Sequence, residues 1–148
     1  MKLTKTRNEL LEIAKELNTL NLTGVKLCYA IARSADKIRE EMKAIHAARK
    51  PLKDYDQQQL ELAQKYAAVD AEGNPRRTDQ GFIVADLARY NEDLSILRDR
   101  FQEQLDELEA FMAEEVTIDV HAIGYADVPE DITMKQMRAL LPLIKQKE

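Results

Sequence analysis

Tryptophan is absent from this chain, and cysteine occurs once. A lone cysteine excludes an internal disulfide framework. With no histidine near it in sequence, Cys28 is expected to be a small buried hydrophobe on a helix, not a catalytic thiol. Glycine and proline number four each, too few turn residues for a many-stranded sandwich or barrel. Three Phe and five Tyr leave the core to Leu, Ile, Val, Ala and Met. No long uncharged run offers a membrane span, so no membrane partner is expected. The opening Met1-Lys2-Leu3-Thr4-Lys5-Thr6 is not followed by an apolar stretch, so no signal peptide is expected. A reducing cytosol is the simplest compartment.

The 148 residues are 45% hydrophobic and 33% charged. That apolar share excludes a fully disordered chain, and the length suits a single domain, 1–148, with one modest core. The formal charge of −5 opposes non-specific binding of nucleic acid across the whole surface, and nucleic acid is not an expected partner.

The expected fold is mainly α. Thr6-Arg7-Asn8-Glu9 reads as a capping box opening an N-terminal helix over 6–22, with Leu10, Ile13, Ala14, Leu17 and Leu20 on one stripe. Gly24 suits its left-handed C-cap. A second helix covers 25–68, its seam running Ile31, Ala35, Ile38, Met42, Ile45, Arg49, Leu52, with a kink where Pro51 removes a donor. Asp70-Ala71-Glu72-Gly73-Asn74-Pro75 is the strongest turn signal and places a turn or hairpin connector at 69–82. A third helix covers 84–113 on Leu87, Tyr90, Leu94, Leu97, Phe101, Leu105, Leu108 and Met112. The two long helices are expected to form an antiparallel, coiled-coil-like hairpin. Period-two alternation then gives a strand at 115–123, the minor β element. Its expected partner is a segment near Val69 or Ile83, or another subunit. Thr133-Met134-Lys135-Gln136 opens a short C-terminal helix over 133–146 that Pro142 kinks or ends.

Few residues point to chemistry. Six acids and no base occupy 101–115, and basic residues recur over 37–50. In a hairpin these stretches are expected to pair as complementary flanks; a functional acidic face is the sharper alternative. His46 and His121 stand in no metal-ligand spacing, and no phosphate-loop, dinucleotide or nucleophile-elbow motif occurs. No catalytic residue, metal or cofactor is assigned, and a non-enzyme is expected. Adjacent Arg76 and Arg77 on the turn suit a phosphate or an acidic partner, against the plainer reading of solvated loop charge. Arg33 and Lys37, one helical turn apart, are the other candidate anion ligands. Tyr29, Tyr55, Tyr66 and Tyr90 are expected at or beside the helical seams.

Several stretches in order resemble a family of small proteins of tailed bacteriophages and prophages. They are Leu17-Asn18-Thr19-Leu20-Asn21-Leu22, Val25 through Arg33, Lys37-Ile38-Arg39-Glu40-Glu41, Lys65 through Asp70, Glu72-Gly73-Asn74-Pro75, and Glu114 through Val120. The stretch from Lys50 to Gln64 is longer than is usual for that family. The family has no known catalytic residues to carry over. The resemblance implies a phage or prophage product acting in the bacterial host cytoplasm. The expected function is a helical binding protein that self-associates, with a host or phage protein as partner. Two alternatives stay open: a counter-defence protein that sequesters a small anionic nucleotide signal or inhibits a host protein, and a virion-assembly or tail-associated accessory.

Overall fold

The computed structural model describes residues 1–146. It is mainly helical, 63%, with small two-stranded sheets. In chain order, β1 (Lys2–Thr6) leads into α1 (Arg7–Asn18), followed by α2 (Val25–Arg49). A 3-10 turn at Lys50–Leu52 joins α2 to α3 (Lys53–Lys65), so that helical residues run unbroken for 41 positions. Then come β2 (Arg77–Thr78), β3 (Gly81–Phe82), α4 (Leu87–Arg100), α5 (Gln102–Ala113) and β4 (Glu115–Asp119). A 3-10 turn at Tyr125–Asp127, α6 (Met134–Leu140) and a last 3-10 turn at Leu141–Leu143 follow. The chain divides into two compact units, Met1–Ala48 with Ala110–Glu148, and Arg49–Glu109.

In the first unit both capping boxes form. Thr6 accepts from the Glu9 N–H and Glu9 returns a carboxylate oxygen to the Thr6 N–H, each at 3.1 Å. Thr133 and Gln136 make the same exchange at the start of α6. α1 then buries Leu10, Ile13, Ala14 and Leu17, as its stripe requires. It stops at Asn18, earlier than expected, because Thr19 turns both its N–H and its hydroxyl back onto the Glu16 carbonyl. Gly24 is not the cap of α1. It stands before α2 with φ +109°, and its carbonyl accepts from the Cys28 N–H at 2.9 Å.

The strand expected at 115–123 is shorter, ending at Asp119, and its partner is neither of those anticipated. It pairs antiparallel with β1, Leu3 opposite Ile118 and Thr4 opposite Thr117. Val120 still exchanges main-chain bonds with Met1 across the ladder, and Val120 and Ile123 enter the core. The core gathers Leu10, Ile38, Ile123, Leu140 and Leu143, all almost fully buried. On α2 the buried line runs Leu27, Ala30, Ser34, Ile38; it shares Ile38 with the expected seam but passes one position earlier at Ala30 and Ser34, with Ile31 and Met42 at its margin. Cys28 is consequently exposed, not buried as expected, and its thiol donates to the Leu22 carbonyl at 3.2 Å. The C-terminal helix ends at Leu140, short of the expected 146, with Pro142 in the 3-10 turn that closes it.

Arg7 ties α1 to the end of α5. Its guanidinium lies 3.7 Å over the Phe111 ring and donates to the Phe111 carbonyl at 3.0 Å and to the Glu114 carboxylate at 2.7 Å. Two of the bases expected as flanks have partners on their own helix. Arg39 bonds Asp36 and Lys37 reaches Glu40, each pair three residues apart and so adjacent on the helix surface.

In the second unit α3 and α4 pack side by side in opposite directions. Tyr55, near the start of α3, meets Phe101 edge-on at 5.6 Å, and its hydroxyl accepts from Arg98 Nε at 3.4 Å. Tyr66, past the end of α3, donates its hydroxyl to Asp93, which raises the phenol above its ordinary pKa. Pro51 sits in the 3-10 turn and relieves its missing donor there without ending the helical run. Arg49 bonds Asp56 through two nitrogens across that turn. In the connector, Asp70 accepts from the Glu72 and Asn74 N–H groups, and Gly73 takes φ +83°. β2 and β3 form a minimal antiparallel ribbon. The third long helix starts at Leu87 rather than 84, because Gly81–Phe82 belongs to the ribbon and Asp86 caps the helix from the Arg89 N–H. It is interrupted at Phe101, where α4 gives way to α5.

Candidate functional site

Arg33 and Lys37 project from α2 on the face next to its buried line, and both are exposed. The structure gathers them with Asp119, Val120 and His121 around a concavity of about 270 Å³ in the first unit. The anchor of this arrangement is Ser34, which is completely buried. Its hydroxyl donates to the His121 carbonyl at 3.2 Å and accepts from the His121 N–H at 3.0 Å. One short side chain thus fixes the segment after β4 to α2. The His121 ring meets Tyr29 edge-on with centroids 5.2 Å apart.

Asp119 is the one carboxylate of the concavity. The Met1 amine donates to it at 3.1 Å and Lys2 approaches to 3.6 Å. The amine's hydrogen bond, followed by the charge of Lys2, holds its carboxyl below the ordinary pKa. The site therefore combines an arginine, a lysine and an imidazole with a carboxylate already engaged by other cations. Such a group can hold a small anion by charge and by the bidentate guanidinium. Ser34 and His121 do not make a nucleophile and base, because the buried hydroxyl bonds the main chain of His121 and not its ring.

Arg76 and Arg77 sit on the connector of the second unit, both exposed. The Arg76 main chain is held between the Ala68 carbonyl and the Ile83 N–H, at 2.7 and 3.0 Å. The Arg77 guanidinium stacks over Phe82 at 4.8 Å, leaving its nitrogens at the surface. His46 is exposed on α2. Among the described residues, no group of three or more His, Cys, Asp or Glu is placed to hold a metal ion. Nor, among them, is any helix long and apolar enough to cross a membrane.

Ser34, Asp119, His121 and Tyr29 were not assigned to a site from the sequence. One signal was present: Ser34 stands between Ala30 and Ile38, where the spacing of an apolar stripe calls for a hydrophobe. A polar residue at such a position has a hydrogen-bond partner inside. No family model, curated protein or solved structure matches the chain.

Proposed function

We propose that this protein is a non-enzymatic binding and interaction protein that self-associates through its helical unit, Arg49–Glu109. The observation that carries the reading is the size of that unit's core. Its buried side chains are Leu52, Tyr55 and Leu97, with Leu62, Leu94, Phe101, Leu105 and Leu108 packed on them only in part. Meanwhile Leu60, Val69, Leu87 and Ile96 are 49 to 61% exposed. A unit of this size is marginal on its own core, and apolar surface contributes about 25 cal/mol for each Å² removed from water. A second copy would cover those side chains and extend the coiled-coil-like antiparallel hairpin that the seams of 25–68 and 84–113 suggest. Light scattering during size exclusion at micromolar concentration tests the reading. A mass above that of one chain supports it, and a strict monomer removes it.

A second reading rests on the Arg33–Lys37–His121 concavity, a seat for a small anionic ligand such as a nucleotide. A panel of nucleotides tested by thermal shift decides it, since a binder gains stability with ligand concentration and returns the ligand chemically intact after denaturation. The setting of either activity, a phage or prophage product in the host cytoplasm, is part of the same proposal and rests on the family resemblance.

A further inference from the structure

We propose that the outer edge of β1 is a docking groove for an acidic, extended segment of a partner protein, which joins the β1–β4 sheet as a third strand.

The phase of the ladder shows which groups are available. Met1 and Val120 bond each other's main chain at 3.1 and 2.9 Å, and the Arg7 N–H donates to the Glu114 carbonyl at 3.2 Å. Antiparallel strands alternate bonded and non-bonded pairs, so Leu3 and Lys5 bond toward β4 while Lys2 and Thr4 direct their N–H and C=O the other way. The Thr4 and Thr117 hydroxyls, 2.7 Å apart, agree with a closely spaced non-bonded pair. β1 has β4 as its only sheet neighbour among the described residues. Two residues' worth of donors and acceptors therefore line an open edge, the template that strand addition uses.

That edge borders a groove of about 580 Å³ that no β4 residue lines. Its floor includes Leu3, Leu141 and Ile144, and its rim carries Lys2, Lys5 and Lys145. Leu141 is 57% exposed there. Among the described residues, every charged side chain lining the groove is cationic; Lys2 and Lys5 reach carboxylates at 3.6 and 3.8 Å, on exposed side chains. Lysines on an edge oppose pairing with a second β1, which would set like charges in one short ladder, and admit an acidic strand. β1 already shows this preference on its inner edge. There it pairs with Glu-Val-Thr-Ile-Asp, and Lys2 lies opposite Asp119. The preferred guest thus has carboxylates alternating with β-branched residues, the latter reaching the apolar floor.

Fluorescence anisotropy at low salt with the intact protein tests the proposal. The probes are a labelled Glu-Val-Thr-Ile-Asp peptide and a control with lysine at both acidic positions. The acidic peptide is expected to saturate, and the basic one not to bind. Lys145→Glu, at an exposed position, is expected to weaken binding by about tenfold. Thr4→Pro removes an outward N–H that the β1–β4 ladder does not use, and is expected to abolish binding while the cooperative thermal transition persists. If Thr4→Pro fails to fold, Lys145→Glu alone decides. Equal binding of the two peptides, or a Lys145→Glu curve like the wild type, overturns the proposal. So does a change of oligomer mass in folded Thr4→Pro, which would make a second copy the occupant. Self-association through the helical unit is independent of this test, because Ile96→Asp is expected to leave the peptide curve unchanged.

Discussion

Replacing Ser34 by alanine tests how the first unit holds its site together. The hydroxyl is completely buried and serves one peptide segment twice, through the His121 carbonyl and N–H. Two such bonds contribute roughly 0.5–1.5 kcal/mol each, so Ser34→Ala is expected to cost about 1–3 kcal/mol. At roughly 2–4 °C per kcal/mol for a chain of about this length, the melting temperature falls by about 2–12 °C. Urea unfolding followed by circular dichroism measures the free energy directly. His121→Ala separates main chain from ring. It removes the edge contact with Tyr29, about 0.5–1.5 kcal/mol, but keeps both bonds to Ser34. Because both changes act on one peptide segment, the double variant measures how strongly they couple. A Ser34→Ala protein as stable as the wild type would refute the anchoring role.

Three further outcomes follow from the same contacts. Thr133→Ala removes the acceptor of the Gln136 N–H and should lower stability by about 0.5–2 kcal/mol, measured in the same unfolding assay. The lowered Asp119 carboxyl is charged in the folded state at a pH where the unfolded chain is already protonated. Its stabilisation is therefore present at neutral pH and lost as the pH falls through the folded value, so Asp119→Asn should flatten the acid limb of a melting-temperature profile. Cys28, exposed on α2, should react with a thiol reagent in the native protein at a rate close to that of the unfolded chain; strong protection would place it inside.

Local signals in the sequence translated well. Both capping boxes, the Asp70–Pro75 turn and the apolar stripe of α1 involve residues within a few positions of one another, and they form as their side chains require. Pairings at long range did not show. β1 is five residues, Lys-Leu-Thr-Lys-Thr, with too few alternations to announce a strand, and its partner lies more than a hundred positions away. The α2 seam was displaced because Ser34 fills a core position with a hydroxyl, whose partner on the His121 main chain no periodicity reveals. Of the candidate ligands, Arg33 and Lys37 were visible as a helical pair, while Asp119 and His121 joined them only through the fold.

Sedimentation equilibrium of the wild type beside Ile96→Asp reads out whether a second copy completes the helical unit, as proposed. Ile96 is 58% exposed on α4, so a charge there is tolerated in the monomer and would be buried in an assembly. A concentration-dependent oligomer is expected for the wild type and a folded monomer for the variant. A wild type that stays monomeric through the micromolar range would overturn self-association.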